Sequence, residues 1–447
     1  MLSRWLQRAA LDRPEARAWA LYDWANSAFW TTVVTAVFPI YYLELASELD
    51  ADTAQQRFTQ ATTLALLVSA LIAPFLGTVA DFRAQKKRLL ALFAWLGAGA
   101  TLALFWAQPG DWRYALTCFA LANVGAAASM AFYDALLPHV ARPGEMDRLS
   151  SSGFALGYAG GGLCLALSLT WMLRPQWFGL PHGEGLSPAE ATLPVRLALA
   201  FVGAWWFVFT LPLLLRVSEP PRLLEADEQA GASVVRVSFQ RLGETLRELR
   251  RYRQAFVMLL AALIYNDGIA TIIRMAALYA SGPAQLGRGV VIGTLLAIQF
   301  VGIPCAFLFG GLADRFGTKR MIAAGLGVYC LICLLAFNMT SAWHFVVLGL
   351  LVALVQGGTQ ALSRSLFASL IPRHKTGEFF AFYGIGEKFA GILGPVLYGA
   401  SIGLVGSKGA ILSIVPFFVL GAFLLLRVDV EAGRATARAA EDQVRQA

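Results

Sequence analysis

The stretch Gly310-Gly-Leu-Ala-Asp314-Arg315-Phe316-Gly317-Thr318-Lys319-Arg320 closes one long apolar run, and Gly77-Thr-Val-Ala-Asp81-Phe82-Arg83-Ala84-Gln-Lys86-Lys87-Arg88 closes another. Their aspartates stand 233 residues apart (314 − 81). Other landmarks keep that spacing: Pro138 and Pro372, Gly157 and Gly391, and Gly160 and Gly394 are each 234 apart. Tyr22-Asp23 precedes Tyr265-Asn266 by 243, an offset that a longer first outer loop explains. Four features returning in the same order describe a duplicated chain.

The repeated unit is a set of membrane spans. Hydrophobic residues make up 57% of the 447 and charged residues 14%, where soluble chains carry about 45–50% and about 25%. Crossing roughly 30 Å of hydrocarbon takes about 20 mainly apolar residues. Twelve runs meet that requirement, near 18–45, 57–80, 89–107, 113–138, 150–173, 195–215, 255–280, 289–313, 321–339, 343–372, 379–404 and 410–426. The expected fold is therefore all-α integral membrane, with two six-helix bundles at residues 1–216 and 255–447. Parallel six-span repeats related by an axis along the membrane normal are a mark of secondary transporters. Residues 217–254 form a polar linker, and its later part, 234–253, has apolar residues at helical spacing beside Arg236, Arg241, Arg247, Arg250 and Arg251. That segment is expected to lie as an amphipathic helix on anionic lipid. No cleavable leader is legible in the first 17 residues, so the first span is expected to direct insertion.

The net charge of +8 follows from topology. With the N-terminus in the cytoplasm, 27 of the 36 Lys and Arg fall on cytoplasmic segments and six on the other side. Positive residues mark the cytoplasmic face, so both termini are expected there, at the inner membrane if the source is bacterial. The basic balance calls for a lipid partner and no nucleic acid. All five cysteines fall inside spans, and the Cys330-x-x-Cys333 spacing suits small packing residues. Neither a metal site nor a cofactor is expected.

The copy at Gly310 closely resembles the loop signature of the major facilitator superfamily, Gly-x-x-x-Asp-Arg-x-Gly-x-Arg/Lys-Arg/Lys. The copy at Gly77 departs from it, with Phe82 in the place of a basic residue and Ala84 in that of the second glycine. Tyr22-Asp23-Trp24-Ala25-Asn26-Ser27-Ala28-Phe29 and Gln356-Gly357-Gly358-Thr359-Gln360-Ala361-Leu362-Ser363-Arg364 resemble the first and tenth spans of the autophagy-related vacuolar effluxers. That resemblance implies the twelve-helix fold, a cavity lined by spans 1, 4, 7 and 10, and export of small solutes such as amino acids.

Independently of the resemblance, an intramembrane charge costs about 2.5–3.5 kcal/mol and must meet a cavity or a partner. Span 1 sets Asp23, Asn26, Ser27, Trp30 and Thr31 on one helical stripe; span 7 sets Asp267, Thr271 and Arg274, beside Asn266; span 10 sets Gln356, Thr359, Gln360, Ser363 and Arg364. The expected substrate and coupling residues are Asp23, Asn26, Trp30, Asn266, Asp267, Thr271, Arg274, Gln356, Gln360, Arg364 and, in span 11, Glu387. Arg274 is placed to meet a solute carboxylate bidentately, or else to neutralise Asp267 two turns away on the same helix. Asn26, Ser27 and Thr271 serve equally well as interhelical hydrogen-bonding groups. Gating is expected at Asp81, Asp134, Asp314 and Arg315, whose charges bridge neighbouring helix ends. Gly157-Tyr158-Ala159-Gly160-Gly161-Gly162 faintly resembles the superfamily's antiporter signature, with Tyr158 where proline stands; tight helix packing also accounts for it.

A chain of this kind is expected to be a monomeric, non-enzymatic secondary transporter of a small solute, run on a gradient or passive since no nucleotide-binding loop is legible, and proton-linked through the carboxylates of Asp23, Asp267 and Glu387. Amino acids or related organic anions suit the mixed charges best. Sugars, drugs, or a sensor or scramblase role without coupled transport remain alternatives.

Overall fold

The computed structural model describes residues 2–221, 251–281, 288–389 and 393–446; the side chains of Arg274 and Glu387, and the amphipathic segment expected within residues 234–250, lie outside that set. Among the described residues there is no strand. Helix α1 is Leu2–Arg8, and the spans of the first half are α2 (Pro14–Leu45), α3 (Ala51–Arg83), α4 (Lys86–Trp106), α5 (Trp112–Val140), α6 (Met146–Leu173) and α7 (Leu193–Arg216). The second half contributes α8 (Arg253–Ser281), α9 (Arg288–Phe316), α10 (Thr318–Phe337), α11 (Ala342–Ser369), α12 (Thr376–Phe389), α13 (Leu393–Ala410), α14 (Val415–Arg427) and α15 (Val430–Gln446). Among the described residues ten helices are long and apolar enough to cross a membrane, or eleven if the pair Ile411–Arg427 and Val430–Val444, bent by 60°, counts as one span. The run expected at 379–404 is divided between α12 and α13 and passes through residues 390–392, outside the described set.

Local chemistry sets several boundaries. Pro14 opens α2, where its missing N–H is harmless. Asp50 caps α3 by accepting from Thr53 N at 2.9 Å. The middle of α2, Phe29–Val37, widens into a π-helix. Pro39 follows it, and its ring would clash with the carbonyl four residues back, at Thr35. The two signature loops close differently: Gly317 sits at φ +87°, ψ 139° between its helices, while Ala84 takes up the left-handed φ +51°, ψ 58°. A β-carbon in the left-handed region costs roughly 1–2 kcal/mol, so Ala84 strains the backbone of its turn.

Helices of the two halves pack across three seams: α6 against α9 and α11, α3 against α12, and α5 against α11 and α12. Both termini attach to one face. Ser152 Oγ, near the start of α6, donates to Ala9 O at 2.6 Å, and Arg373 N, just beyond α11, donates to Glu441 of α15 at 2.9 Å. We call this the terminal face. Glu219, at the start of the linker, accepts from Lys87 N at 2.9 Å and ties the linker to the first turn of α4. Burial holds its carboxyl above the usual range.

Candidate functional site

A cavity of about 1760 Å³ lies between the halves, its walls running to Ile40, Arg174, Trp177, Met339 and Phe345 at the face opposite the termini. The π-helical stretch of α2 lines it through Trp30, Thr31 and Thr35. Its upper walls are mainly apolar, with Thr35, Thr170, Thr294 and Arg174 among them. The polar residues gather toward the base, where Asp23 and Asn26 of α2, Asp134 of α5, Asn266 of α8, and Gln356, Gln360 and Arg364 of α11 all reach the lining.

Arg364 closes the floor. It is 2% exposed. One of its terminal nitrogens donates to Asp134 Oδ1 at 2.9 Å and lies 3.6 Å from Asp23 Oδ2. Its Nε and other terminal nitrogen donate to Ser150 Oγ and Ser150 O, both at 2.9 Å. The guanidinium plane is enclosed by Phe154, Trp19 and Tyr133 at 4.6, 5.1 and 5.3 Å from its carbon, contacts that favour a delocalised cation. Every partner comes from the first half, while Arg364 comes from the second.

Asp23 sits one step nearer the cavity. It accepts from Tyr133 Oη and from Ser27 Oγ, each at 3.3 Å. Gly157 and Gly153 of α6 leave the room: a β-carbon on Gly157 would stand 2.9 Å from Asp23 Oδ1, and one on Gly153 would stand 3.2 Å from an Arg364 nitrogen. The cluster thus holds two carboxylates for one guanidinium.

Asp267 and Thr271 do not line the cavity. Asp267 accepts from Gly394 N at 3.2 and 3.3 Å through its two oxygens, and Thr271 Oγ1 donates to the Asp267 carbonyl at 2.7 Å. Asp267 and Thr271 of α8 therefore face α13 rather than the solute space, and Asn266, one residue earlier, takes the cavity side. Trp30 Nε1 donates to Asn26 Oδ1 at 2.8 Å, which fixes the amide orientation at the wall.

The acidic residues of the loop signatures occupy the terminal face. Asp81 is buried, pairs with Lys86 at 2.5 Å and accepts from Glu378 N, in the first turn of α12, at 2.9 Å. Gly77 and Gly377 bring these helices so close that a β-carbon on Gly77 would stand 2.5 Å from the Gly377 carbonyl oxygen. Asp314 is half-exposed and pairs with Arg148 at 3.1 Å, whereas Arg315 is exposed. The degenerate copy is thus the more deeply embedded one, and Phe82, its departure from a basic residue, is buried. Asp147 adds two further ties to the second half, accepting from Thr318 Oγ1 at 2.5 Å and from Ser365 Oγ.

Sequence reasoning did not single out Ser150, Asp147, Arg148, Trp19 or Tyr133. One signal was present for the first: Ser150-Ser151-Ser152 places three hydroxyls at the entry to an apolar run. Ser150 donates to Ala361 O at 2.7 Å and Ser152 to Ala9 O, while Ser151 packs on Gly310.

The family model described as "Vacuole effluxer Atg22 like" matches residues 58–438. An uncharacterized MFS-type transporter, YxiO of Bacillus subtilis (strain 168), is 35% identical over 420 residues, covering 93% of this chain and 95% of YxiO. Autophagy-related protein 22-1 of Penicillium rubens is 25% identical, covering 83% of this chain and 75% of its own length. Among solved structures, the proton:xylose symporter XylE superposes with a TM-score of 0.70 at 12% identity, covering 93% of this chain and 95% of XylE. The human organic anion transporter MFSD10 superposes with a TM-score of 0.67 at 13% identity, covering 92% and 99%. Those two likenesses concern the fold alone. The chain is a multi-pass integral membrane protein with the major facilitator fold, and it belongs to the Atg22-like vacuole effluxer family.

Proposed function

We propose that this chain is a secondary transporter that exports a small polar solute by alternating access, in exchange for protons, and that the solute carries an amine. The observation that carries the reading is the floor of the cavity: Arg364 from one half bound to Asp134, Asp23 and Ser150 from the other. Asp134 is in hydrogen-bond contact with the guanidinium at 2.9 Å while Asp23 stands off at 3.6 Å, so Asp23 is the less closely balanced of the two buried carboxylates. A buried charge of that kind is expensive, and either one proton or one ammonium group at Asp23 removes it. Competition between the two at one carboxylate is what exchange requires.

Arg364 spends its hydrogen bonds on the first half in this conformation, so it is not offered to a solute carboxylate. A carboxylate on the solute would meet the amides of Gln356, Gln360 and Asn266 on the opposite wall. That arrangement suits an amino acid, the class that the family resemblance also favours, better than an organic anion without an amine. The excess of Lys and Arg on the segments of the terminal face supports a cytoplasmic assignment for that face. The structure is then the outward-facing state with its cytoplasmic side shut.

The experiment is flux in liposomes. An imposed pH gradient should drive accumulation of an amino acid, and Asp23→Asn should lose the gradient-driven component and exchange solute only at a raised solute concentration, because the ammonium loses its counter-charge. A neutral hydroxylated solute is the second reading, favoured by the three glutamines at the cavity, Gln299, Gln356 and Gln360. Competition by sugars and not by amino acids would select it.

A further inference from the structure

Tyr158 occupies a notch between two glycines of the opposite half. A β-carbon on Gly302 of α9 would stand 3.1 Å from the Tyr158 ring, and one on Gly357 of α11 would stand 2.4 Å from it. Neither glycine has a left-handed backbone, so it is the closeness of the ring that requires them.

The position along each helix is telling. Tyr158 is the thirteenth of 28 residues in α6, Gly302 the fifteenth of 29 in α9, and Gly357 the sixteenth of 28 in α11. Three helices therefore meet at their midpoints.

The seam between α6 and α9 changes character on either side of that point. Toward the terminal face it is polar: Ser151 packs on Gly310, Arg148 pairs with Asp314, and Asp147 accepts from Thr318. Water can replace the Arg148–Asp314 pair and the Asp147–Thr318 hydrogen bond once the face opens, because the charged and hydroxyl groups in them are able to hydrogen-bond to solvent. One turn the other way, Gly162 lies against Gln299, whose Nε2 donates to Thr31 Oγ1 at 3.0 Å. Beyond it the helices part, and Leu165 and Leu169 of α6 and Leu295 of α9 face the cavity. The tyrosine ring against bare backbone has no comparable wet alternative.

We propose that Tyr158, held between Gly302 and Gly357, is the pivot about which the two halves rock, a contact kept in both conformations while the polar seam below it opens. Among the residues that sequence resemblance associates with an antiporter motif, this tyrosine then acts through shape. The proposal rests on the alternating-access reading above, and its test needs no solute, so the two can fail separately.

The test uses the full chain in nanodiscs, with Cys118, Cys164, Cys305, Cys330 and Cys333 changed to alanine. One variant adds Tyr158→Cys with Gly302→Cys and another adds Ser151→Cys with Gly310→Cys; each pair is oxidised to a disulfide. Hydrogen exchange is followed by mass spectrometry in peptides covering residues 146–152 and 361–369. The oxidised 151/310 pair is expected to protect those peptides, and the oxidised 158/302 pair to leave their exchange as in its reduced form. Protection by the 158/302 disulfide equal to that of the 151/310 disulfide overturns the pivot. So does an absence of protection in both, since the face then does not open about this seam. As an independent variant, Gly357→Ala pushes the ring out of its notch and is expected to change exchange in the same peptides roughly ten-fold through the opening equilibrium. Exchange unchanged in Gly357→Ala contradicts the proposal as well.

Discussion

Arg364 gives two hydrogen bonds of 2.9 Å to a single residue, Ser150, which lies 214 positions away in the other half of the chain. Ser150 Oγ in turn donates at 2.7 Å to Ala361 O, one helical turn before Arg364 on α11. The serine thus binds both the guanidinium and the backbone of the helix that carries it. A tie of this kind can be closed only when α6 and α11 are pressed together.

Replacing Asp134 with Asn removes the charge-assisted bond to Arg364 and keeps the volume. Asp23 still balances Arg364 in this variant, so the cost is that of one charge-assisted hydrogen bond, about 1.5–3 kcal/mol, and it falls on the conformation in which the bond is made. Asp134→Asn is therefore expected to shift the protein toward the state open at the terminal face. Cysteine accessibility at Arg142→Cys, an exposed position on that face, measures it: labelling of Ser150→Cys relative to Arg142→Cys should rise in the Asp134→Asn background. Equal ratios in both backgrounds contradict the assignment.

Gly157→Ala tests the room around Asp23. A β-carbon there would lie 2.7 Å from Ser27 Oγ and 2.9 Å from Asp23 Oδ1, both inside normal contact distance. Carboxylate and hydroxyl have to move, so coupling should suffer more than folding. The expected result is a thermal midpoint within a few degrees of the parent, about the shift of 1 kcal/mol, with loss of pH-driven flux. Wild-type flux in Gly157→Ala sinks the idea that this glycine serves the site.

The strained turn at Ala84 offers a stability test remote from the cavity. With φ at +51°, Ala84→Gly should stabilise the protein by roughly 1 kcal/mol, the cost of a β-carbon in the left-handed region, less the entropy that glycine adds to the unfolded chain. Thermal unfolding in detergent reads it, and a lower midpoint in Ala84→Gly contradicts the account of the turn.

Much of this architecture was legible in the sequence because the membrane imposes it. Long apolar runs and the 233-residue recurrence led to two sets of spans, and intramembrane Asp23 and Arg364 stood out because hydrocarbon tolerates a charge only with a partner. What stayed hidden was which face of a stripe turned where. Asp267 and Thr271 share spacing with cavity residues, yet they face α13, because helical periodicity defines a stripe and leaves its rotation about the axis open. Asp81 stands in the poorer copy of the signature, but it is the buried one, since the close approach of Gly77 and Gly377 is set by tertiary packing. Ser150 and Tyr133 carry ordinary side chains, and their importance comes from the guanidinium they enclose.

The central claim is that the negative charge at Asp23 is relieved alternately by a proton and by the amine of a solute. The measurement that tests it most directly is the uptake of radiolabelled amino acids into proteoliposomes, with and without an imposed pH gradient, for the wild type and Asp23→Asn. The account predicts gradient-driven accumulation in the wild type, abolished by a protonophore. In Asp23→Asn it predicts the loss of that accumulation, with solute-for-solute exchange persisting only at a raised solute concentration. Wild-type accumulation that ignores both the pH gradient and the protonophore, or Asp23→Asn that still accumulates solute against its gradient, would contradict it.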